Sequence, residues 1–110
     1  MPDPCTPESA ITDLLPSKQL LGRSVRLLKG FADGTRLRIL CLMRDGEVCV
    51  HEIVDALDVS QSAVSHQLRV LRDARLVTRR KEGRHVYYRL ADAHIEEMLE
   101  NALSHGKEMK

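Results

Sequence analysis

The sequence predicts a small, mainly helical domain that carries a single β-hairpin. Its 110 residues suffice for one domain, and with 43% hydrophobic residues it can bury a core. Apolar residues recur with the helical period of 3.6 up to residue 74, and with the strand period of two from residue 76 to residue 90. A last amphipathic stripe begins at residue 92. The order of these periods predicts several helices, then a hairpin, then a closing helix.

The composition excludes several classes of protein. No apolar run approaches the roughly 20 residues of a membrane span, and the first residues lack a signal-peptide pattern, so we expect no membrane partner. The three cysteines, Cys5, Cys41 and Cys49, are an odd number without the spacing of a disulfide framework. A reduced, cytoplasmic location fits this usage best. No nucleophile–base pair or glycine-rich phosphate loop is evident, so we do not expect an enzyme.

The chain divides into an N-terminal arm, residues 1–16, and a folded domain, residues 17–108. We expect the arm to be partly disordered, because three of the four prolines lie in its first seven residues, with a short helix over Glu8–Leu15. Ser17 suits the N-cap of the first helix of the domain. A second helix is predicted over Thr35–Arg44.

The next two segments carry the pattern of a helix–turn–helix. Apolar residues at helical spacing predict a helix over residues 50–57, and a tight connection leads to Ser60, a suitable N-cap for another helix. That helix buries Val64, Leu68 and Leu71, while its other face presents short or planar hydrogen-bonding groups. Such a recognition helix can place its polar side chains in the major groove of DNA. The predicted DNA contacts on this face are Gln61, Ser62, Ser65, His66, Gln67 and Arg69.

A basic hairpin follows the recognition helix directly. Strands are predicted over Leu76–Lys81 and His85–Leu90. Residues 60–90 hold eight Lys and Arg against two acids, although the net charge of the chain is only +1. By charge alone an ordinary solvated surface explains this stretch equally well. After a recognition helix, however, such a hairpin is a wing, and the predicted fold is a winged helix–turn–helix. The wing residues placed to meet DNA are Arg79, Arg80, Lys81 and Arg84.

Four residues of metal-binding type lie at the two ends of the predicted closing helix. Asp92 and His94 lie at its start, and His105 and Glu108 at its end, where we expect Gly106 to stop the helix. The two histidines are eleven residues apart, so they share nearly one face but lie about 16 Å apart along the axis. Zinc–nitrogen bonds are about 2 Å, so one helix cannot close this site alone. Two antiparallel copies can, and the spacing predicts a homodimer with two shared metal sites.

The donor set favours zinc. Two imidazole nitrogens and two carboxylate oxygens in four-coordination suit Zn²⁺, with Co²⁺ as a substitute, whereas Ni²⁺ favours more ligands in an octahedral arrangement. Each residue alone has a simpler explanation: Asp92 as an N-cap, and the histidines and Glu108 as solvated surface groups. The four together, at this spacing, favour the metal site.

The sequence resembles the ArsR/SmtB family of metal-responsive winged-helix repressors. The resemblance covers about residues 17–108 and is carried by residues 33–40 (DGTRLRIL), 59–68 (VSQSAVSHQL), 71–77 (LRDARLV) and 82–88 (EGRHVYY). It implies a homodimer, with the N- and C-terminal helices in the dimer contact, that binds an inverted-repeat DNA operator when metal-free. Metal binding then lowers DNA affinity, and efflux or resistance genes are transcribed. A glycine is common in this family where Arg75 stands.

The resemblance also bears on the metal sites. Asp92, His94, His105 and Glu108 match a zinc site that some members carry on their C-terminal helices. A second candidate site follows from members that use cysteines, and here its residues are Cys5, Cys49 and Glu52.

Three alternatives stay open. In the first, Cys49 is only a small half-buried residue, and His51 stands where many thiol-sensing members have another cysteine, which argues against a soft metal. In the second, Cys49 and Cys5 sense softer metals or oxidants on the same fold. In the third, the chain is a winged-helix interaction module with a structural zinc.

Overall fold

The computed structural model describes residues 10–109. Cys5 and the start of the predicted helix Glu8–Leu15 lie outside the described residues, and the rest of that helix is a 3₁₀ turn, Ile11–Leu14. The remaining elements, in chain order, are α1 (Lys18–Phe31), α2 (Gly34–Leu42), β1 (Val48–Cys49), α3 (Val50–Leu57), α4 (Gln61–Asp73), β2 (Val77–Glu82), β3 (His85–Leu90) and α5 (Ala93–Glu108).

Four of the helices begin at a side chain that caps their first backbone N–H groups. The hydroxyls of Ser17 and Ser60 each accept from the N–H three residues on, at 3.1 Å, which confirms both predicted N-caps. Asp33 and Asp92 cap α2 and α5 in the same way, at 3.0 and 3.1 Å. Because each cap satisfies an N–H that the helix leaves without a partner, local sequence fixes where these helices start.

Helix α5 is longer than predicted. It continues through Gly106 to Glu108, so the expectation that Gly106 ends the helix is wrong. A single glycine costs a helix only about 1 kcal/mol, and His105 and Lys107 in the last turn are placed to interact well with the helix dipole. Glu108 therefore lies on the last helical turn. Helix α2, in contrast, ends at Leu42, two residues before its predicted end.

One hydrophobic core joins α2, α3, α4, α5 and the sheet. Leu76, which follows α4, is among its fully buried residues. The three predicted core positions of α4 are buried as expected. None of the helices in the described part is long and apolar enough to cross a bilayer. The core residues are Ile39, Leu40, Met43, Ile53, Val64, Leu68, Leu71, Leu76, Val77, Tyr88, Leu90, Ile95 and Leu99.

The wing is part of a three-stranded antiparallel sheet with the strand order β1-β3-β2. Strand β3 has its predicted bounds, and β2 begins one residue later than predicted. Paired residues of an antiparallel sheet point to the same face, so Arg79 lies with Tyr88 on the core side and Arg80 with Tyr87 on the outer side. Cys49 of β1 pairs with Tyr87 and shares that outer side.

Two tight connections use left-handed backbone. Asp58, between α3 and α4, has φ 53°, and Arg75, after α4, has φ 64°. A side chain at such a φ is strained relative to glycine, and Asp tolerates it better than Arg. The conformation explains why glycine suits the position of Arg75.

Candidate DNA interface and metal half-sites

The polar face of α4 is open to solvent. Ser62, Ser65, His66 and Arg69 are exposed, as is Gln61 at the first position. The hydroxyl of Ser60, which caps the helix, also lies 3.2 Å from that of Ser62. This face carries the predicted DNA contacts with one exception.

The exception is Gln67. It is half-buried, and its Oε1 accepts a hydrogen bond from Arg36 Nη1 at 3.2 Å. Its side-chain acceptor is therefore already used within the protein. This partner could not be predicted from neighbouring residues, because Arg36 lies 31 positions away on α2.

A basic groove separates α4 from the wing. Ser65, Arg69 and Arg72 line it from the helix, and Arg79 and Tyr88 from the sheet, around a cavity of about 440 Å³. None of the three arginines forms an ion pair with another residue in the range 10–109. Three unneutralised guanidinium groups around one groove favour an anionic ligand such as a backbone phosphate.

Arg80 lies on the opposite side of the sheet. It donates to Glu47, with its Nη2 2.6 Å from Oε1, and to Glu82, with its Nη1 2.5 Å from Oε2. Its guanidinium also lies 4.6 Å from the centre of the Tyr87 ring. The hydrogen bond from Arg80 lowers the pKa of Glu47. Of the predicted wing contacts, Arg79 and Lys81 lie on the side of the sheet that faces α4, and Arg84 lies at the exposed tip. Arg80 lies on the other side and is bonded to Glu47 and Glu82.

The four predicted zinc ligands form two exposed pairs at opposite ends of α5. His94 Nδ1 lies 3.8 Å from Asp92 Oδ1, and His105 Nδ1 lies 3.9 Å from Glu108 Oε2. Between 57% and 89% of each of these side chains is exposed. No three ligating side chains of a single chain come together within residues 10–109. Each pair offers two side chains of metal-binding type, half of the four that a tetrahedral site needs.

Asp92 uses one of its two carboxylate oxygens to cap the helix. Its Oδ1 accepts from Ile95 N and caps α5, as the simpler explanation of this residue expects. Its Oδ2 is not used by that cap. A carboxylate has enough lone pairs to cap a helix with one oxygen and bind a cation with the other.

The residues of the second candidate site are engaged in starting α3. Glu52 Oε1 accepts from Cys49 N at 3.0 Å, and this bond, followed by a bond from the Cys49 thiol, lowers the pKa of Glu52. Cys49 is half-buried. The rings of His51 and His85 lie nearby on the outer side of the sheet, with 6.4 Å between their centres. Cys5 lies outside the described residues.

Two further features lie around α5 and α1. Arg44, after α2, donates to Glu100 of α5 from Nε to Oε1 (2.6 Å) and from Nη2 to Oε2 (2.9 Å).

Helix α1 exposes a row of apolar side chains. Between 41% and 56% of each of these residues is exposed: Leu20, Leu21, Val25 and Leu28. Only one stretch of α5, Ile95 and Leu99, is buried within the chain.

Comparison with known proteins identifies the family. The family described as "Bacterial regulatory protein, arsR family" matches residues 33–79. The HTH-type transcriptional repressor SmtB of Mycobacterium tuberculosis is 40% identical over 93 residues, which are 84% of this chain and 69% of the relative. This chain belongs to the ArsR/SmtB family. The cadmium resistance transcriptional regulatory protein CadC homolog of Staphylococcus aureus is 34% identical to this ArsR/SmtB chain over 76% of it and 70% of the relative.

The fold agrees with that of a solved structure described as a possible ArsR-family transcriptional regulator. The homodimeric winged helix–turn–helix DNA-binding domain Mb0332 of Mycobacterium bovis superposes with a TM-score of 0.78 and 29% identity, over 94% of this chain and 91% of that one. The predicted winged helix–turn–helix is confirmed. An ArsR/SmtB chain is a DNA-binding transcriptional regulator and not an enzyme, as the sequence predicts.

Proposed function

We propose that this chain is a cytoplasmic, zinc-responsive repressor. Its metal-free homodimer binds an inverted-repeat operator, and zinc bound between the two chains lowers DNA affinity and allows transcription of metal efflux or resistance genes. The observation that carries the proposal is the division of four zinc-type ligands into two exposed pairs at opposite ends of α5.

The proposed dimer follows from the surfaces that one chain leaves open. The exposed apolar side chains of α1 need a partner, and a second copy of α1 provides one by two-fold symmetry. Antiparallel α5 helices then bring the Asp92–His94 pair of one chain to the His105–Glu108 pair of the other. The domain Mb0332, which has the same fold, is described as homodimeric, and this supports a two-fold dimer.

The chemistry of the ligands supports zinc. Each completed site has two imidazoles and two carboxylates. This set of borderline and hard donors suits four-coordinate Zn²⁺ or its substitute Co²⁺, and suits Ni²⁺ less well. Asp92 Oδ2 is the oxygen available to the metal, since Oδ1 caps the helix. With four protein ligands there is no open position, which fits a sensor.

The α4 face and the basic groove support operator binding. The exposed side chains of α4 enter the major groove, and Arg69, Arg72 and Arg79 meet a phosphate between helix and wing. Zinc then acts through α5, which is tied to the core by Ile95 and Leu99. A coupling of about 3–4 kcal/mol weakens DNA binding several hundredfold.

The thiol-based alternative has less support. One relative is named as a cadmium resistance regulator, the CadC homolog. The family resemblance places Cys49 at a position where thiol-sensing members carry a ligand. Here, however, the Glu52 carboxylate is bonded to Cys49 itself and starts α3. His51 stands where many thiol-sensing members have another cysteine, so Cys49 is the single thiol of this site among the described residues.

The experiment that tests the proposal is fluorescence anisotropy with a duplex of about 30 base pairs, enriched by the wild-type protein from a random-sequence library. The metal-free protein is bound first, and Zn²⁺ is then added. We expect zinc to release the wild type and Cys49→Ser, but not His94→Ala or His105→Ala, which bind DNA normally without metal. Asn101→Ala, an exposed residue of α5 outside both ligand pairs, is the matched control and responds like the wild type.

The other outcomes separate the alternatives. Loss of the response in Cys49→Ser alone favours the thiol-based sensor. Tight binding that ignores zinc in the wild type contradicts zinc sensing and leaves the DNA-binding function. Binding that is negligible and does not change with salt favours the interaction module, because phosphate contacts make a repressor's affinity fall steeply with salt.

A further inference from the structure

One arginine joins three helices away from both proposed sites. Arg36 lies on α2. Its Nε donates to Gly30 O at 3.0 Å, and its Nη2 donates to Lys29 O at 2.8 Å. Its Nη1 donates to Gln67 Oε1 at 3.2 Å. The first two acceptors lie in the last turn of α1, and the third lies in the middle of the recognition helix α4.

The geometry suits arginine. The last carbonyls of a helix have no partner within it, and a cation there is favoured by the helix dipole. The planar guanidinium offers five donors in fixed directions, so it can hold two carbonyls and an amide oxygen at once. The backbone of Arg36 is itself fixed, because its N–H donates to Asp33 at 3.0 Å. The link between α1 and α4 therefore starts from a rigid base.

A second observation joins the same two helices. A Cβ at Gly30 would lie 2.5 Å from Leu76 Cδ1 and 3.3 Å from the Cβ of Ala74. The end of α1 thus packs directly on the residues that follow α4, so closely that a side chain at Gly30 would displace the side chain of Leu76. Contact at the end of α4 and a hydrogen bond at its middle fix both the position and the rotation of α4 relative to α1.

We propose that Arg36 is a positioning residue for DNA binding, which acts through Gln67 to hold the recognition helix on the dimer helix α1. Because α1 carries the exposed apolar face that pairs with its copy, the Arg36–Gln67 bond sets the separation of the two recognition helices in the dimer. Gln67 then serves this link rather than a base contact. The inference rests on the proposed dimer and on operator binding, and not on zinc.

The test compares Gln67→Met with the wild type on two duplexes. The first is the duplex enriched by the wild-type protein, and the second has one more base pair between its half-sites. That base pair moves the second half-site by about 3.4 Å and turns it by about 34°. Gln67→Met keeps the length of the side chain but removes the oxygen that accepts from Arg36. Arg36→Met is measured beside it, and because Arg36 also closes α1, Gln67→Met is the decisive variant.

The expected result is a change in the ratio of the affinities for the two duplexes. We expect the wild type to bind the longer duplex about tenfold or more weakly than the first, because a rigid dimer cannot engage both half-sites. We expect Gln67→Met to bind the first duplex more weakly than the wild type does, and its affinities for the two duplexes to differ by less than about threefold. Its melting temperature should be unchanged. Arg84→Met is the control for a lost phosphate contact, and it weakens binding to both duplexes by the same factor.

Two results overturn the proposal. If Gln67→Met weakens binding to both duplexes equally, Gln67 contacts DNA directly and the link to Arg36 does not position α4. If Gln67→Met binds and discriminates like the wild type, α4 is held without Arg36. Failure of the wild type to enrich any duplex contradicts DNA binding itself, and so is distinct from failure of this inference.

Discussion

Arg80 and Glu47 form a two-point ion pair across the outer side of the wing, with Arg80 Nη2 2.6 Å from Oε1 and Arg80 Nε 3.1 Å from Oε2 of Glu47. Glu82 takes a further N–H of the same guanidinium. Arg79, the preceding residue, points to the opposite side and lines the groove beside α4. Two adjacent arginines of one strand therefore differ: Arg80 has its partners within the protein, whereas Arg79 forms no ion pair among residues 10–109.

This difference predicts different responses of DNA binding to salt. Arg79→Ala should weaken binding to all duplexes and reduce the slope of log Kd against log salt by about one, since one phosphate contact is lost. Arg80→Ala should leave the slope unchanged and lower the melting temperature slightly. Anisotropy titrations between about 50 and 200 mM salt measure both slopes. An equal loss of slope in Arg80→Ala would mean that Arg80 leaves Glu47 to bind DNA.

The left-handed backbone at Arg75 predicts a stabilising substitution. Arg75→Gly relieves the strain at φ 64° but adds chain entropy to the unfolded state, for a net gain of about 0.5–1 kcal/mol. Gly83→Ala, at φ 60° in the wing turn, is the matched opposite case and should lose about 1 kcal/mol. Thermal melts at equal protein concentration compare them. A loss of stability in Arg75→Gly would show that the Arg75 side chain makes a contact worth more than the strain.

The Arg44–Glu100 pair predicts a pH-dependent contribution to stability. The hydrogen bond and charge of Arg44 lower the pKa of Glu100 below its ordinary 4.5. A carboxyl whose pKa is lowered by folding stabilises the folded state above its unfolded-state pKa and loses that contribution as the pH falls through its folded-state value. Glu100→Gln should therefore melt below the wild type at neutral pH, and the difference should close below pH 4.5.

The control for this effect is Glu97→Gln, an exposed acid of α5 without an ion pair among residues 10–109. Its melting temperature relative to the wild type, measured at the same pH values, gives the effect of removing an α5 acid that has no ion pair. Because both partners of the Arg44–Glu100 pair are about half exposed, the shift is small and requires melts in low salt. A difference for Glu100→Gln that widens in acid would contradict the assigned direction.

The cap formed by Asp92 and its proposed role as a zinc ligand use different oxygens, so the two can be separated by substitution. Asp92→Asn keeps a side-chain oxygen for Ile95 N, so stability should change little while zinc affinity falls about tenfold or more. Asp92→Ala should lose both functions, at about 1 kcal/mol for the cap. Zinc titrations with a chromophoric chelator, beside thermal melts of the metal-free protein, measure the two effects. Equal zinc affinity in Asp92→Asn would remove Asp92 from the ligand set.

Features that depend on neighbours in sequence were predictable. The hydroxyls of Ser17 and Ser60 cap helices because the chain around them has no other way to satisfy the first N–H groups, and the bounds of β3 follow from its alternation. The two halves of the proposed zinc site also follow from spacing. Their union across two chains stays a prediction.

Features that depend on distant residues were not predictable. Strand β1 has only two residues, too few for a period, and exists because it pairs with Tyr87 and Tyr88. Arg80 reads as one more basic residue of the wing, and its partner Glu47 lies 33 positions away. A count of charges cannot distinguish an arginine that is neutralised within the fold from one that is free to meet a phosphate.

The alternation along β2 gives selection two independent sets of positions. Residues 79 and 81 face the proposed DNA side, whereas residues 78, 80 and 82 face the outer side. Substitutions in the first set can retune the strength of repression for a new promoter, while the attachment of the wing to the body is inherited unchanged through the second. Regulators of this architecture can therefore adjust how tightly they bind DNA by single steps, without passing through an ancestor that no longer folds.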